Sequence, residues 1–419
     1  MKMRLPKINV SRVLLFLAVV GPGIITANVD NDAGGITTYS VAGASFGYKM
    51  LWTFIPMTIA LIVVQEMSAR MGAVTGKGLA DLIREHYGVR MTFFIMVGLL
   101  VADLGNTISE FAGVAASMEI FGVTKYIAVP IGAFLIWIVV VKGTYKHVER
   151  VFLVASGLYL TYIVSGAMAH PPWGTVMKEM VVPNFSFSND YLAMLIGLVG
   201  TTIAPWMQFY IQSAVVEKGI TAKQYGYSKL DVIFGCFMTD IVALFIVVAC
   251  AATIFAHGIH IDTAKDAAVA LEPLAGRWAS TLFAFGLLNA SIFSASILPL
   301  ATAYYICEAF GVEAGIDKSW DEAPVFYWLY TLLIIIGAGV ILIPNVPLIL
   351  VMLWSQVING ILLPFILLYM LSLVNNRDIM GDYVNSKGFN MIAWLTTIIM
   401  IGLTVMLLVI SIFPNLLGG

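Results

Sequence analysis

The chain has 419 residues, of which 60% are hydrophobic and 11% charged, with a formal net charge of −2. A soluble domain carries about 45–50% apolar and roughly 25% charged residues, and surface-to-volume scaling gives a soluble chain of this length a far more polar exterior. The composition excludes a soluble enzyme, a disordered protein and a secreted disulfide scaffold, and nothing in the charge suggests a nucleic-acid surface.

Apolar blocks near or above the ~20 residues that cross a bilayer as helix recur along the chain. Taken between charges and turn residues, they predict eleven spans, near 13–42, 51–69, 91–118, 126–141, 151–169, 190–216, 230–256, 278–306, 324–343, 348–373 and 389–413. Their apolar character is continuous, which excludes a barrel. Helices also satisfy their own backbone groups in hydrocarbon. The fold class is an all-α polytopic membrane protein. Cys236, Cys250 and Cys307 fall inside apolar segments without metal-ligand spacing and read as small core residues.

Seventeen of the 22 Lys and Arg residues fall in the segments on the N-terminal side of the membrane and five on the other. The positive-inside rule then puts the N-terminus in the cytoplasm and the C-terminus outside, in a cell (inner) membrane. The first apolar segment is too long and interrupted for a cleavable signal peptide.

The first span is interrupted by Ala27-Asn28-Val29-Asp30-Asn31-Asp32-Ala33-Gly34-Gly35, and the sixth by Gly200-Thr201-Thr202-Ile203-Ala204-Pro205. The sixth span is the first of a second group of five. Interrupted helices at equivalent positions point to an inverted-repeat transporter whose site lies where they unwind. One transmembrane unit over 1–419 is expected, with repeats of about 13–169 and 190–373 and an extra helix at about 389–413. A Pro/Gly kink explains the sixth span equally well. It does not explain the first, because ionisable residues at that depth default to function.

Several segments resemble the Nramp family of divalent-metal transporters. Gly21-Pro22-Gly23 through Asp32 to Phe46-Gly47-Tyr48-Lys49-Met50-Leu51-Trp52 is similar to its first helix. Gln65-Glu66-Met67-Ser68-Ala69-Arg70-Met71-Gly72, with Thr75-Gly76-Lys77-Gly78, resembles its second helix and the loop after it. Ser355-Gln356-Val357, Leu363-Pro364-Phe365 and Met380-Gly381-Asp382-Tyr383 resemble its tenth helix and the following loop. The resemblance implies a leucine-transporter-like (APC superfamily) fold, with two inverted five-helix repeats plus an eleventh helix, and helices 1 and 6 broken at mid-membrane.

The departures from the family pattern carry information of their own. Where the family has Asp-Pro-Gly-Asn, this chain reads Asp32-Ala33-Gly34-Gly35; where it has Met-Pro-His, this chain reads Ala204-Pro205-Trp206. On the third helix the family's Asp and Glu positions are Thr107 and Glu110, and the ninth has no Arg or Lys between Pro324 and Ile343. These substitutions resemble the divergent Nramp-related magnesium transporter branch. A thioether favours softer metals, so Ala204 removes that preference, and Gly35 is expected to leave further room beside Asp32. Mg²⁺ is hard and keeps several waters. The expected metal site is therefore Asp32, carbonyls near Val29 and Thr201, and the Gln356 amide, shaped by Gly35 and Ala204. The transported substrate is Mg²⁺, also Mn²⁺; no cofactor is implied.

The five histidines lie in loops or at helix ends. Proton symport needs titratable groups leading from the site. With Thr107, Trp206 and a charge-free ninth span, uncoupled transport is expected. The membrane potential, at ~2.3 kcal/mol per charge per 100 mV, suffices to drive it. Trp206 reads as a wall or gate of the site, and Thr107 as part of its wall or vestibule. Asp30 and Asn31 hold outer water or cap freed backbone, and Glu110 reads as vestibule or structural. Asp240 is expected to have a buried polar partner, Glu66 and Arg70 to form a structural pair, and His257, His260 and Asp262 to be solvated surface. The partners are the metal ion and the lipid bilayer, with no nucleic acid and no obligate protein partner, as for a monomer. The rivals are a proton-coupled Mn²⁺/Fe²⁺ symporter, a sodium-coupled amino-acid or amine carrier, and a receptor or enzyme. The last is disfavoured by loops too short for a catalytic domain and by the lack of a nucleophile-base motif.

Overall fold

The computed structural model describes residues 21–142, 154 and 156–412. Among them the regular structure is helical, without strands. The first broken span forms α1 (Pro22–Asp30) and α2 (Ala33–Phe46), followed by α3 (Phe54–Thr75), α4 (Leu79–Ile120) and α5 (Lys125–Lys142). Next come α6 (Leu160–Met168), α7 (Trp173–Val181), the second broken pair α8 (Asn189–Thr202) and α9 (Pro205–Glu217), and α10 (Tyr225–Thr253). The chain closes with α11 (Ala279–Phe310), α12 (Pro324–Ile341), α13 (Leu348–Val374) and α14 (Lys387–Ile412).

Among the described residues, nine segments are long and apolar enough to cross a membrane. Two of the eleven expected spans are not among them. The first is split by its break into helices of 9 and 14 residues, each too short alone. Much of the first half of the fifth, and the part of the first before residue 21, lie outside the described residues, as do Lys2, Arg4, Lys7, Arg12, Lys146, His147 and Arg150. The third begins earlier than the expected residue 91. Gly88, at φ 77°, joins a preceding helix to it, a left-handed conformation that glycine adopts without a Cβ clash.

α4 packs along α11 and α13, α13 also packs on α8, and α10 runs beside α1 and α2. Close crossings rest on small residues, as in other membrane bundles. A Cβ on Gly200 of α8 would lie 2.1 Å from the Gln356 carbonyl oxygen and 2.4 Å from the Gly360 amide of α13. Large apolar side chains such as Phe94, Ile131, Ile335 and Ile398 point outward, the arrangement a lipid-facing surface requires.

Two polar clamps position the ends. Asp231 of α10 accepts the Gly23 N–H at 2.7 Å and the Gly21 N–H at 3.3 Å, setting an anion at the positive end of α1. Arg70 pairs with Glu66 at 3.3 Å, as expected of a structural pair. Its guanidinium also donates to the carbonyls of Tyr383 at 2.9 Å and Val384 at 3.2 Å and to the Asn385 side chain, tying the loop before α14 to α3.

Candidate functional site

Only Asn31 and Asp32 separate α1 from α2. Asp32 caps α2, its carboxylate accepting the Gly35 N–H at 2.5 Å, the role a short acidic side chain performs at a helix N-terminus. Glu110, from α4, accepts the Ala33 N–H at 3.2 Å, which sets a second buried carboxyl beside Asp32 at the start of α2. This diverts Ala33 from the Val29 carbonyl, its helical partner four residues back; Ser294 reaches that carbonyl at 3.4 Å. The break is therefore held open by a side chain from another helix.

The second break has a different cause. α8 ends at Thr202 and α9 starts at Pro205. Pro205 has no N–H, so the Thr201 carbonyl lacks its helical donor. The buried Thr201 hydroxyl has no hydrogen-bond partner. The Ala204 carbonyl accepts from Met207 N and Gln208 Nε2, both at 3.2 Å.

The two breaks meet across glycines. A Cβ on Gly35 would stand 2.5 Å from the Asp30 carbonyl oxygen and 3.1 Å from Thr201 Oγ1, and one on Gly34 would stand 2.0 Å from Gln356 Nε2. The fold thus gathers Asp32, Gly35, Thr201, Gln356 and Glu110 in one place, with Val29 and Ala204 at the broken ends. The side-chain oxygens among them are those of Asp32, Glu110 and Thr201, while Gln356 turns its Nε2 toward Gly34 and its oxygen toward Asn359. Gln356 is held by a further series of bonds. Its Oε1 accepts from Asn359 at 3.0 Å, Asn359 and Asn106 exchange bonds of 2.8 and 3.2 Å, and Asn106 donates to Asp103 at 3.2 Å. Thr302 and Tyr305 of α11 complete Asp103 at 3.2 and 3.0 Å.

Two expectations are corrected. Gly35 does not leave room beside Asp32, because the Asp30 carbonyl and the Thr201 hydroxyl close over it. Thr107 does not face the break: its hydroxyl donates to the Asp103 carbonyl at 2.8 Å and its methyl group lies under Gly337 of α12. Trp206 stands on the first turn of α9, directly after the second break, with its ring 6.1 Å from that of Tyr210. Asp240 has the Thr58 hydroxyl of α3 as its polar neighbour, as expected. His260 and Asp262 lie 3.7 Å apart on the exposed surface, as expected.

A cavity of ≈990 Å³ opens at the end of the bundle that carries Phe46, Ser188 and Pro347, and reaches Val357. One of ≈430 Å³ opens at the other end among Gly78, Ser213, Glu217 and Glu308. Asp32 lines neither and is 3% exposed. The breaks are therefore closed from both sides. Glu308 was not anticipated from the sequence. It accepts from Ser213 at 2.5 Å, while its other carboxylate oxygen is buried and unpartnered.

A family model described as natural resistance-associated macrophage protein-like (Nramp) matches residues 23–410. The divalent metal cation transporter MntH of Yersinia pestis (strain Pestoides F) is 27% identical over 405 residues, covering 94% of this chain and 95% of that protein. A crystal structure of the Eremococcus coleocola manganese transporter, bound to an aromatic bis-isothiourea compound, superposes with a TM-score of 0.75 at 22% identity, covering 97% of this chain and 88% of that one. A nucleobase-cation-symport-1 family transporter in a closed conformation gives 0.59 at 15% identity, covering 94% of each chain. The fold is the leucine-transporter-like one, with its first and sixth helices broken at the centre. The chain belongs to the Nramp family.

Proposed function

We propose that this chain is a membrane transporter for divalent metal cations, with Mg²⁺ as its principal substrate, Mn²⁺ as a second, and no coupling to protons. The observation that carries the reading is Asp32: a buried carboxylate at the meeting point of two broken helices, among oxygen donors. Relatives over nearly the full chain are named divalent metal cation and manganese transporters. The metal ligands are Asp32, the carbonyls of Val29 and Thr201 and the amide of Gln356, while Gly35 and Ala204 set the space around them.

Mg²⁺ is favoured because no thioether stands at the Ala204 position, and a hard ion prefers carboxylate, carbonyl and water. Binding a largely hydrated ion requires the breaks to part, because they are closed over Gly35 here. The repeats, about 13–169 and 190–373, rock against each other to expose Asp32 first to the cavity near Phe46, on the outside, and then to the one near Glu308, in the cytoplasm. We propose further that the chain is of the Nramp-related magnesium transporter branch and acts as a monomer in the inner membrane with its N-terminus inside.

A second reading, a proton-coupled Mn²⁺/Fe²⁺ symporter, is favoured by one observation. Glu110 bonds the N–H of the residue after Asp32, and two buried carboxyls at one break can share a proton that an arriving cation displaces. Purified protein in liposomes loaded with dyes for Mg²⁺ and pH decides between the readings. Mg²⁺ entry at constant internal pH supports the first. Mn²⁺ entry with acidification, and none of Mg²⁺, establishes the second.

A further inference from the structure

Asp30 and Asp240 are a second pair of buried acids, and Thr239, the residue before Asp240, bonds Asp30. Asp30 ends α1 and Asp240 lies midway along α10; they are 2% and 4% exposed. Their charges are close enough to repel each other, and Asp32 adds to the repulsion at Asp30. Thr239 Oγ1 stands between the chain segments, 3.1 Å from Asp30 Oδ2 and 2.7 Å from Asn31 Nδ2. Among the described residues no Lys, Arg or His forms an ion pair with either acid.

Four oxygens here have no hydrogen-bond partner: Asp30 Oδ1, Asn31 Oδ1 and both carboxylate oxygens of Asp240. Thr58 of α3 is the hydroxyl beside Asp240, and it also donates to the Phe54 carbonyl at 2.8 Å, so among the described residues Asp240 has no cation and no full donor set for its charge. Leaving such groups buried and unpaired costs several kcal/mol for each charge. Unpaired carboxylate and amide oxygens gathered in one buried place can be satisfied by a hard cation held between them.

We propose that Asp30 and Asp240, with Asn31 Oδ1 and Thr239 Oγ1, form a second site for a hard divalent cation beside the Asp32 site, so that the chain holds two ions at once. All donors are oxygens of the kind Mg²⁺, Mn²⁺ and Ca²⁺ accept. Two neighbouring dications repel, and the second weakens the hold on the first, as multi-site occupancy does in ion pathways. The site deepens the transport reading and does not depend on Asp32 being a ligand.

The test counts Mn²⁺ bound at saturation to the full-length purified protein by equilibrium dialysis, with low-temperature electron paramagnetic resonance for spin–spin broadening between neighbouring ions. Two ions in the wild type, one in Asp240→Asn and one in Asp32→Asn, with broadening lost in both variants, is the expected result. Asp30→Asn provides a second substitution, and thermal unfolding checks that each variant is folded. One ion in both the wild type and Asp240→Asn, and none in Asp32→Asn, overturns the second site and leaves the Asp32 reading intact. One ion in both the wild type and Asp32→Asn, and none in folded Asp240→Asn, keeps the Asp240 site and overturns the role of Asp32. An unchanged ion count in Asp240→Asn with one fewer proton released on Mn²⁺ addition shows that the pair holds a proton, and also overturns the proposal.

Discussion

Gln356 occupies the space that a side chain on Gly34 would need: its Nε2 lies 2.0 Å from the position of a Gly34 Cβ. The contact presses α13 onto the first turn of α2 and fixes where the amide stands relative to Asp32. Gly34→Ala must therefore displace Gln356. The expected cost is about 1–3 kcal/mol of stability, with Mg²⁺ uptake into liposomes reduced at least tenfold. Adding Gln356→Ser returns the stability but not the uptake, a non-additive pattern that thermal unfolding and flux read separately.

Asp32 caps a helix and carries the charge of the site, and the two roles are separable. Asn is as good an N-cap as Asp. Asp32→Asn should unfold at nearly the wild-type temperature while losing divalent-ion uptake. Asp32→Ala should lose uptake and also about 1 kcal/mol of stability. Equal destabilisation in the two variants contradicts the separation.

The Ala204 position decides ligand softness. Ala204→Met introduces a thioether and should raise the Mn²⁺ over Mg²⁺ preference by about tenfold, the equivalent of ~1.4 kcal/mol. Gly35→Asn, by contrast, meets the Asp30 carbonyl 2.5 Å from its Cβ. It should destabilise this closed state and add little selectivity. Competition of Mn²⁺ against Mg²⁺ uptake in the single and double variants tests both.

Arg70 tests the clamp far from the breaks. Arg70→Ala strands Glu66 as a buried unpaired charge and frees the Tyr383–Asn385 loop, at a cost of about 3–5 kcal/mol. The double variant Glu66→Gln/Arg70→Met removes both charges and should recover much of that loss in thermal unfolding.

The parts of the molecule legible in the sequence are those where a local signal and a physical rule coincide. Asp30-Asn31-Asp32 followed by glycines marks a break because no uninterrupted membrane helix tolerates it, and Pro205 marks the second. The contents of Gly35's vicinity were not legible. Whether a missing side chain leaves space depends on how far the Asp30 carbonyl and Thr201 close in, and only the packing of α8 on α2 decides that. The bonds from Asn106 to Asn359 cross 253 positions, beyond any helical period. Asp240 looked like one more buried polar residue. Which polar group reaches it is decided by α3 and α10 together, since the nearby Thr58 hydroxyl also bonds its own backbone.

The amides beside the site have a direction. Asn359 gives its N–H to Gln356, and it and Asn106 lock each other head to tail, with Asp103 as the terminal acceptor. A cation attracts the Gln356 oxygen, and that oxygen is already engaged by Asn359. An arriving ion must compete for it, and whatever Asn359 releases is felt next by Asn106 and then by Asp103, held by Tyr305 on α11. The row of amides is thus continuous from Gln356 on α13 to Asp103 on α4 and Tyr305 on α11, so that a change in hydrogen-bond polarity at its first member can pass along it without any side chain having to travel.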